Sequence, residues 1–444
     1  MSGAGPPPDR RRPPWPRRNT AEAIAARQAA LRARPGWDAA HDFVWDWPRP
    51  AADLAGFQEA LTAHTVLPVG VAGPLAVDLG RYETDAAGRL VETGRQREEV
   101  YVPLAHTEGG LTASLLRGAA AVASEGGVRT FVLRDRITRA SCFVFDTAAD
   151  ALRLAAWVSE QAGAMRSWLE DPANPLHAEA PGGVPRLSHH ARLREVDSHV
   201  VGPACHVLYR YTTGEACGPN MITRNSYALN AEFVLRRFPP QAGVAPRRVY
   251  LEANMGGDKK PSALYFGAGG HGKTVLAEAT ISDRTLRRTL RVTREDLIAL
   301  EHTGMHGGHA SGMQSVAATP ASVVAAVFAA TGQDLGMVGT SSMAHLVLEP
   351  VAGGVHFSLR FSGLEVGTVG GGTGLPHARA FLSLLGCQGP GSALRLAQVI
   401  AAAALCLDLS VSAAMAAAGS ENFARAHHLQ SGRGVPLEAP AEPV

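Results

Sequence analysis

Charge and cysteine are both scarce for a chain of this size. Of 444 residues, 18% are Asp, Glu, Lys or Arg, below the roughly 25% usual in soluble domains. Lys and Arg total 42 against 40 Asp and Glu, for a net charge of +2. No global field draws such a chain to nucleic acid or to an anionic membrane, and neither partner is expected. The five cysteines, Cys142, Cys205, Cys217, Cys387 and Cys406, are odd in number, scattered, and never form C-x-x-C. This argues against a disulfide framework or a zinc ribbon and for a reducing compartment. No apolar core segment stands near the N-terminus, so no signal peptide is read and a cytoplasmic location is expected. Long apolar runs are also rare. Residues 395–418 need checking as a membrane span, but Arg395, Gln398 and Asp408 within them favour a buried core helix.

What is abundant is alanine, glycine and apolar surface. Apolar residues make up 46% and glycines number 48, enough for a sizeable core and two or three domains. The Pro/Arg-rich start, with Arg10, Arg11, Arg12, Arg17 and Arg18, cannot bury enough apolar surface to fold alone. Residues 1–50 are therefore read as an arm and linker, with a short helix over 20–34. Residues 420–444 form a C-terminal tail.

Between these ends, Gly/Pro-punctuated P-V-G-V-A-G-P-L (68–75) and a strand ending at Leu104 precede T-E-G-G-L-T-A-S (107–114). Thr107 reads as a helix N-cap with Glu108 in the first turn, where the dipole favours a carboxylate. Strands are expected over 129–148 and helices over 150–169 and 219–236, with a hairpin over 192–200 and 204–212. This order suggests a compact α+β unit, 142–250, inserted between two parts of a larger domain, 51–141 and 251–419.

The stretch E-A-N-M-G-G-D-K-K-P-S (252–262) follows a strand-like Val249–Leu251. Gly256 and Gly257 free the backbone to turn, and Lys259 on that turn can face a ligand's developing negative charge. A solvated charged turn explains the same residues. Nearby, G-A-G-G-H-G-K-T (267–274) matches the phosphate-loop pattern. The residues after it are strand-like rather than helical, however. A hairpin turn between strands 263–266 and 274–281 is the better reading.

An amphipathic helix is expected over 284–301 and a Gly/Met/His loop over 304–316. There His306 and His309 lack a third ligand, so no metal is expected. Thr319-Pro320 opens a helix to residue 331. Asp334 follows, an acid placed against the helix dipole. Strands 344–350 and 355–361 lead to the glycine run 365–376, which suits a ligand lying against backbone.

Taken together, P-V-G-V-A-G-P-L, T-E-G-G, T-G-E-A-C-G-P-N-M (213–221), D-K-K-P (258–261), G-Q-D (332–334), V-G-G-G-T (369–373) and the tail's Ala-His resemble the catalytic domain of 3-hydroxy-3-methylglutaryl-coenzyme A reductase. The matches come in the family's order over roughly residues 55–433. The resemblance implies a large mixed α/β substrate-binding domain around long buried helices. A small ferredoxin-like α+β nicotinamide-binding domain would be inserted in it. It implies reduction of an acyl-CoA thioester with NADPH or NADH, coenzyme A being part of the substrate, and a homodimer sharing its active sites.

On the same resemblance Lys259 would stabilise the oxyanion, and Glu108 would donate a proton beside Asp334, which would lie across a subunit contact. His427 or His428 would protonate the leaving thiolate. Arg139 would hold the substrate carboxylate, supported by Asp258 and Lys260, with Ser322, Gly371 and Gly372 also at the substrate. Gly214, Glu215, Gly218, Asn220 and Met221 would contact the cofactor. The chain departs from the family pattern at Glu215 and Glu252, where Asp and Ser are usual. It departs also at Cys217, Pro219, Ser322 and Val338. A divergent member is expected, with alternatives of a related acyl thioester, a non-catalytic relative, or a phosphate-loop nucleotidase.

Overall fold

The computed structural model describes residues 20–33, 38–39, 42, 45, 59–85, 88–178, 187–417 and 423–424. The segment up to Pro68 is a unit by itself. In it α1 (Ala21–Arg32) buries Arg27, whose Nε donates to the Leu61 carbonyl at 2.9 Å.

The second unit is built on a sheet of nine strands. They are β1 (Val69–Thr84), β2 (Leu90–Ala105), β3 (Val128–Val144), β4 (Arg192–Val201), β5 (Ala204–Thr212), β6 (Arg248–Tyr250), β7 (Gly272–Ser282), β8 (Ala344–Val351) and β9 (Gly354–Leu364). Its main path runs β2-β1-β3-β7-β9-β8. Among the described strands, β1 and β3 are the one pair that runs parallel.

Among the helices that pack on the main path of this sheet are α2 (Leu111–Ala123), α9 (Pro320–Thr331) and α12 (Ser392–Ala416). Helix α12 buries 19 of its 25 residues, as a helix apolar all round must. Among the described residues it is the one helix long and apolar enough to cross a membrane, and it forms the centre of the core. A Cβ at Gly118 of α2 would overlap the Cys406 carbonyl of α12, so the two backbones touch. Gln398 of α12 ties the layers together, accepting from Gly80 N at 2.8 Å and from Thr130 Oγ1 at 2.9 Å.

Strand β3 is shared. Its first half pairs with β7, and residues 137–144 pair with β5 and β6. Around that second half lies a separate hydrophobic core with Phe143, Phe145, Trp157, Tyr209, Phe233 and Phe238. The chain order there is β3, α3 (Ala148–Glu170), β4, β5, α4 (Pro219–Ala228), β6, and the antiparallel sheet order is β4-β5-β3-β6. This is the ferredoxin-like βαββαβ arrangement. Helix α4 passes through a π-turn (229–234) into α5 (Leu235–Ala242), before β6.

Three local expectations are corrected. Residues 263–266 are not a strand: Ser262 caps α6 (Ala263–Ala268), its hydroxyl accepting from Tyr265 N at 3.1 Å. A short apolar run fits either state, and here the cap decides. Residues 284–301 are not one helix. They divide into α7 (Asp283–Thr285), a π-turn, and a break at Arg291, whose φ is 56°. The next helix, α8 (Arg294–Ala310), starts at a Thr293 cap and runs through the expected loop as far as Ala310. The remaining helices, α10 (Val338–Ser341) and α11 (Pro376–Leu384), flank β8 and β9.

Candidate active site

The loop after β6 is pinned to the middle of β3. Ala253 N donates to the Ala140 carbonyl at 3.2 Å, and Ser141 Oγ donates to the Leu251 carbonyl at 3.1 Å. Gly256 and Gly257 are buried, and Gly257 has φ 72°. Lys259 itself has φ 58°. A non-glycine residue in this region marks a conformation that its surroundings impose.

The side chain of Lys259 reaches Asp334, with Nζ–Oδ2 2.9 Å. That hydrogen bond holds the ammonium pKa above the usual lysine value. Asp334 is not opposed to a helix dipole, as its sequence position suggested. Helix α9 ends at Gly332, φ 68°, and Asp334 caps the next short helical turn, its Oδ1 accepting from Gly336 N at 2.9 Å. The ion pair lies within one chain, so the expectation that Asp334 faces Lys259 across a subunit contact is wrong.

Glycines pack against the turn that carries Asp334. A Cβ on Gly332 would strike the Gly372 carbonyl, and one on Gly372 would strike the Gly332 carbonyl. Gly372 therefore serves backbone contact, and it brings the glycine run against the turn that carries Asp334. Gly371, exposed with φ 55°, has open space beside it. A cavity of about 520 Å³ runs along Val369, Gly370, Thr373, Gly374 and Ser392.

Arg139, from β3, lies under the same loop. Its Nη1 donates to Asp258 Oδ2 at 3.0 Å and to Glu252 Oε2 at 3.1 Å. Lys260 is exposed and donates to the Asp258 carbonyl at 3.2 Å. Behind them His271 Nδ1 lies 3.3 Å from Glu365 Oε2, both fully buried. Asp258, His271 and Glu365 each present a ligand atom within 4.8 Å of the others. Arg139 and Lys259 beside them already supply cations, which argues against a further positive ion.

Other expected residues stand elsewhere. Thr107 is not the cap of α2. Gly110 is, with φ 86°, which leaves Glu108 exposed in the preceding loop. Among the described residues its carboxylate has no hydrogen-bond or ion-pair partner. His106 orders this loop by accepting from Glu108 N at 3.1 Å and contacting Thr112 Oγ1 at 2.9 Å.

Glu215 is occupied with structure. It accepts from Gly391 N at 2.7 Å, Ser392 Oγ at 3.0 Å and Ala393 N at 2.6 Å, so it caps α12. Its carboxylate is thus committed to a helix rather than to a cofactor. Gly218 has φ 91° and begins α4, which carries exposed Asn220; Met221 packs on the second core. Gly214, φ 61°, is exposed. Ser322 lies in the first turn of α9, its N donating to the Thr319 carbonyl at 3.1 Å. His427 and His428 lie outside the described residues.

The phosphate-loop look-alike has the wrong polarity. A helix precedes it and a strand follows, whereas phosphate binding needs amides at a following helix N-terminus. Arg136 and Thr138 bind its carbonyls, Arg136 Nε to Gly269 at 2.7 Å and Thr138 Oγ1 to Gly270 at 2.6 Å. Lys273 is buried against Asp135 at 3.3 Å.

A second cavity, about 670 Å³ and not foreseeable from local sequence, is lined by Arg134, Arg136, Arg192, Arg194, Arg210 and Gly214 among others. These arginines lie on three different strands, and only the fold assembles them. Burial and then the neighbouring Arg134 push the Arg136 guanidinium down to about 10. Glu195 already stands among them, 3.0 Å from Arg136 and 3.6 Å from Arg210, and the remaining guanidiniums favour a further anion.

A family model described as hydroxymethylglutaryl-coenzyme A reductase matches residues 23–431. The 3-hydroxy-3-methylglutaryl-coenzyme A reductase of Aeropyrum pernix is 36% identical over 374 residues, 83% of this chain and 80% of that protein. The protein of that name from Haloferax volcanii is 32% identical over 411 residues, 91% and 92% of the two chains. The fold is similar to that of the class II reductase from Streptococcus pneumoniae bound to NADPH. The TM-score is 0.60 at 16% identity, covering 89% of this chain and 96% of that one.

Proposed function

As the chain belongs to the hydroxymethylglutaryl-coenzyme A reductase family, we propose that this site reduces the thioester of 3-hydroxy-3-methylglutaryl-CoA to mevalonate and free coenzyme A. Two NAD(P)H and two protons are consumed for each thioester, and the nicotinamide supplies the hydrides. The observation that carries this reading is the Lys259 ammonium, fixed at 2.9 Å by Asp334, whose turn packs through Gly332 against Gly372 of the glycine run.

The site's own residues divide the remaining tasks. Lys259 donates to the substrate carbonyl oxygen, and its charge is matched best when that oxygen becomes an oxyanion. Asp334 keeps the ammonium charged and aimed. Glu108, exposed and without a partner among the described residues, supplies a proton from a second copy in a homo-oligomer. His427 or His428 protonates the departing thiolate, since an imidazole titrates near neutral pH.

Gly214 and Gly218 would hold the cofactor, and the arginine-lined cavity would take its phosphates. That cavity supports NADPH over NADH, because an additional phosphate gains from crowded guanidiniums. Arg192→Ala is expected to raise KM for NADPH more than for NADH.

Two alternatives stand apart from this reading. The contact of Glu252 with Arg139 favours a related acyl thioester, and a non-catalytic relative would bind coenzyme A without oxidising cofactor. The test is stoichiometry: two NADPH oxidised for each thiol released from the hydroxymethylglutaryl thioester. Release of thiol without cofactor oxidation would contradict the proposal.

A further inference from the structure

A hydroxymethylglutaryl thioester carries a free carboxylate at the other end of its acyl chain. With the thioester carbonyl at Lys259, that carboxylate needs a cation nearby. Two are attached to the same loop. Lys260 is exposed to solvent, whereas Arg139 is buried and joined to the loop through Asp258.

Arg139 is already overcommitted. Its Nη1 meets two carboxylates, Asp258 at 3.0 Å and Glu252 at 3.1 Å. One positive charge thus faces two negative ones. Its Nε is buried without a hydrogen-bond partner, and so are Oε1 of Glu252 and Oδ1 of Asp258. A third carboxylate at this guanidinium would meet repulsion from both acids. Glu252 is the outer member: its side chain is 24% exposed against 8% for Arg139. Among the described residues its carboxylate is held, apart from Arg139, only by a 3.3 Å contact from Ala140 N.

We propose that Glu252 sets the acyl specificity of this site. It competes with the substrate's free carboxylate for Arg139, so the site favours an acyl thioester whose far end is uncharged. This rests on the reading of the site as a thioester reductase and names the acyl class it prefers. The hydroxymethylglutaryl thioester binds only by displacing Glu252 from Arg139.

The test is calorimetric titration of two ligands into the full chain: hydroxymethylglutaryl-CoA, and its analogue with the carboxylate replaced by a carboxamide. Each is measured with wild type, Glu252→Gln and Glu252→Ser, after thermal unfolding has confirmed that the proteins are folded. Wild type is expected to bind the amide at least as tightly as the acid. Both variants should gain about tenfold or more for the acid, the size of one modest charge interaction, with less than about twofold change for the amide. Unchanged or weaker binding of the acid in the folded variants would overturn the proposal. So would a wild type that prefers the acid by more than about tenfold. NADPH oxidation with both thioesters is recorded alongside. Its absence would overturn the reductase reading, and the binding series would still decide the role of Glu252.

Discussion

Lys259 holds a backbone conformation that residues with side chains seldom adopt, with φ 58°. The loop enforces it through Gly256, Gly257 and the anchors on β3, and the result is an ammonium delivered to Asp334. Because the Asp334 hydrogen bond raises the Lys259 pKa, the charged form is fully present below the ordinary lysine pKa. It is lost only as pH climbs through the raised value. Asp334→Asn removes the cause, so the alkaline limb of kcat/KM against pH should move to lower pH. A limb that stays in place in that variant would show that another group controls it. The lysine was legible in the sequence as a cation on a glycine-loosened turn, and its partner was only half legible. Asp334 looked misplaced because sequence position located the end of α9 and not the new turn that begins there.

At the scale of elements, two acids of opposite standing, half-buried Glu215 and fully buried Asp408, organise helix α12. Glu215 caps its N-terminus through three hydrogen bonds. Loss of a helix cap destabilises by about 1–2 kcal/mol, so Glu215→Ala should lower the midpoint of thermal unfolding while leaving KM for NADPH nearly unchanged. A large rise in that KM with unaltered stability would return Glu215 to the cofactor.

Asp408, midway along α12, accepts from Thr319 N at 2.7 Å and Thr319 Oγ1 at 2.8 Å, which fixes the start of α9. Burial raises its pKa to about 6 from 3.8. The folded state therefore holds this proton more tightly than the unfolded chain. Its contribution to stability is present below the unfolded pKa and declines as pH rises to about 6. Asp408→Asn should flatten stability between about pH 4 and 6 and raise the unfolding midpoint at neutral pH. Denaturant unfolding across that range checks both. The sequence showed that Asp408 argues against a membrane helix. It could not show the Thr319 contact, because the two residues are far apart in the chain. The same limit hid the arginine-lined cavity, whereas the strand–helix order of the small βαββαβ unit was visible in local periodicity.

At the scale of the whole molecule, the proposed proton donor makes no hydrogen bond or ion pair to the proposed oxyanion pair among the described residues. Lys259 and Asp334 meet within the chain, while Glu108 projects from the loop before α2 with no partner among the described residues. If a second copy supplies it, Glu108→Ala and Lys259→Ala proteins, each inactive, should complement when mixed and allowed to exchange subunits. Random pairing in a dimer restores one intact site in half the molecules, or about a quarter of full activity. No recovery after verified exchange would place Glu108 in its own chain's site. Which copy each motif serves cannot be read from one sequence, since the T-E-G-G spacing is the same in either case.

One charged amine, held beside the carbonyl being reduced, is the element on which the account depends. The most direct measurement is NADPH oxidation with hydroxymethylglutaryl-CoA by wild type and by folded Lys259→Ala at saturating substrate. Loss of one preorganised oxyanion donor predicts a fall in kcat of about 10²–10³-fold or more, with a much smaller change in KM. Equal rates in the two proteins would contradict the account.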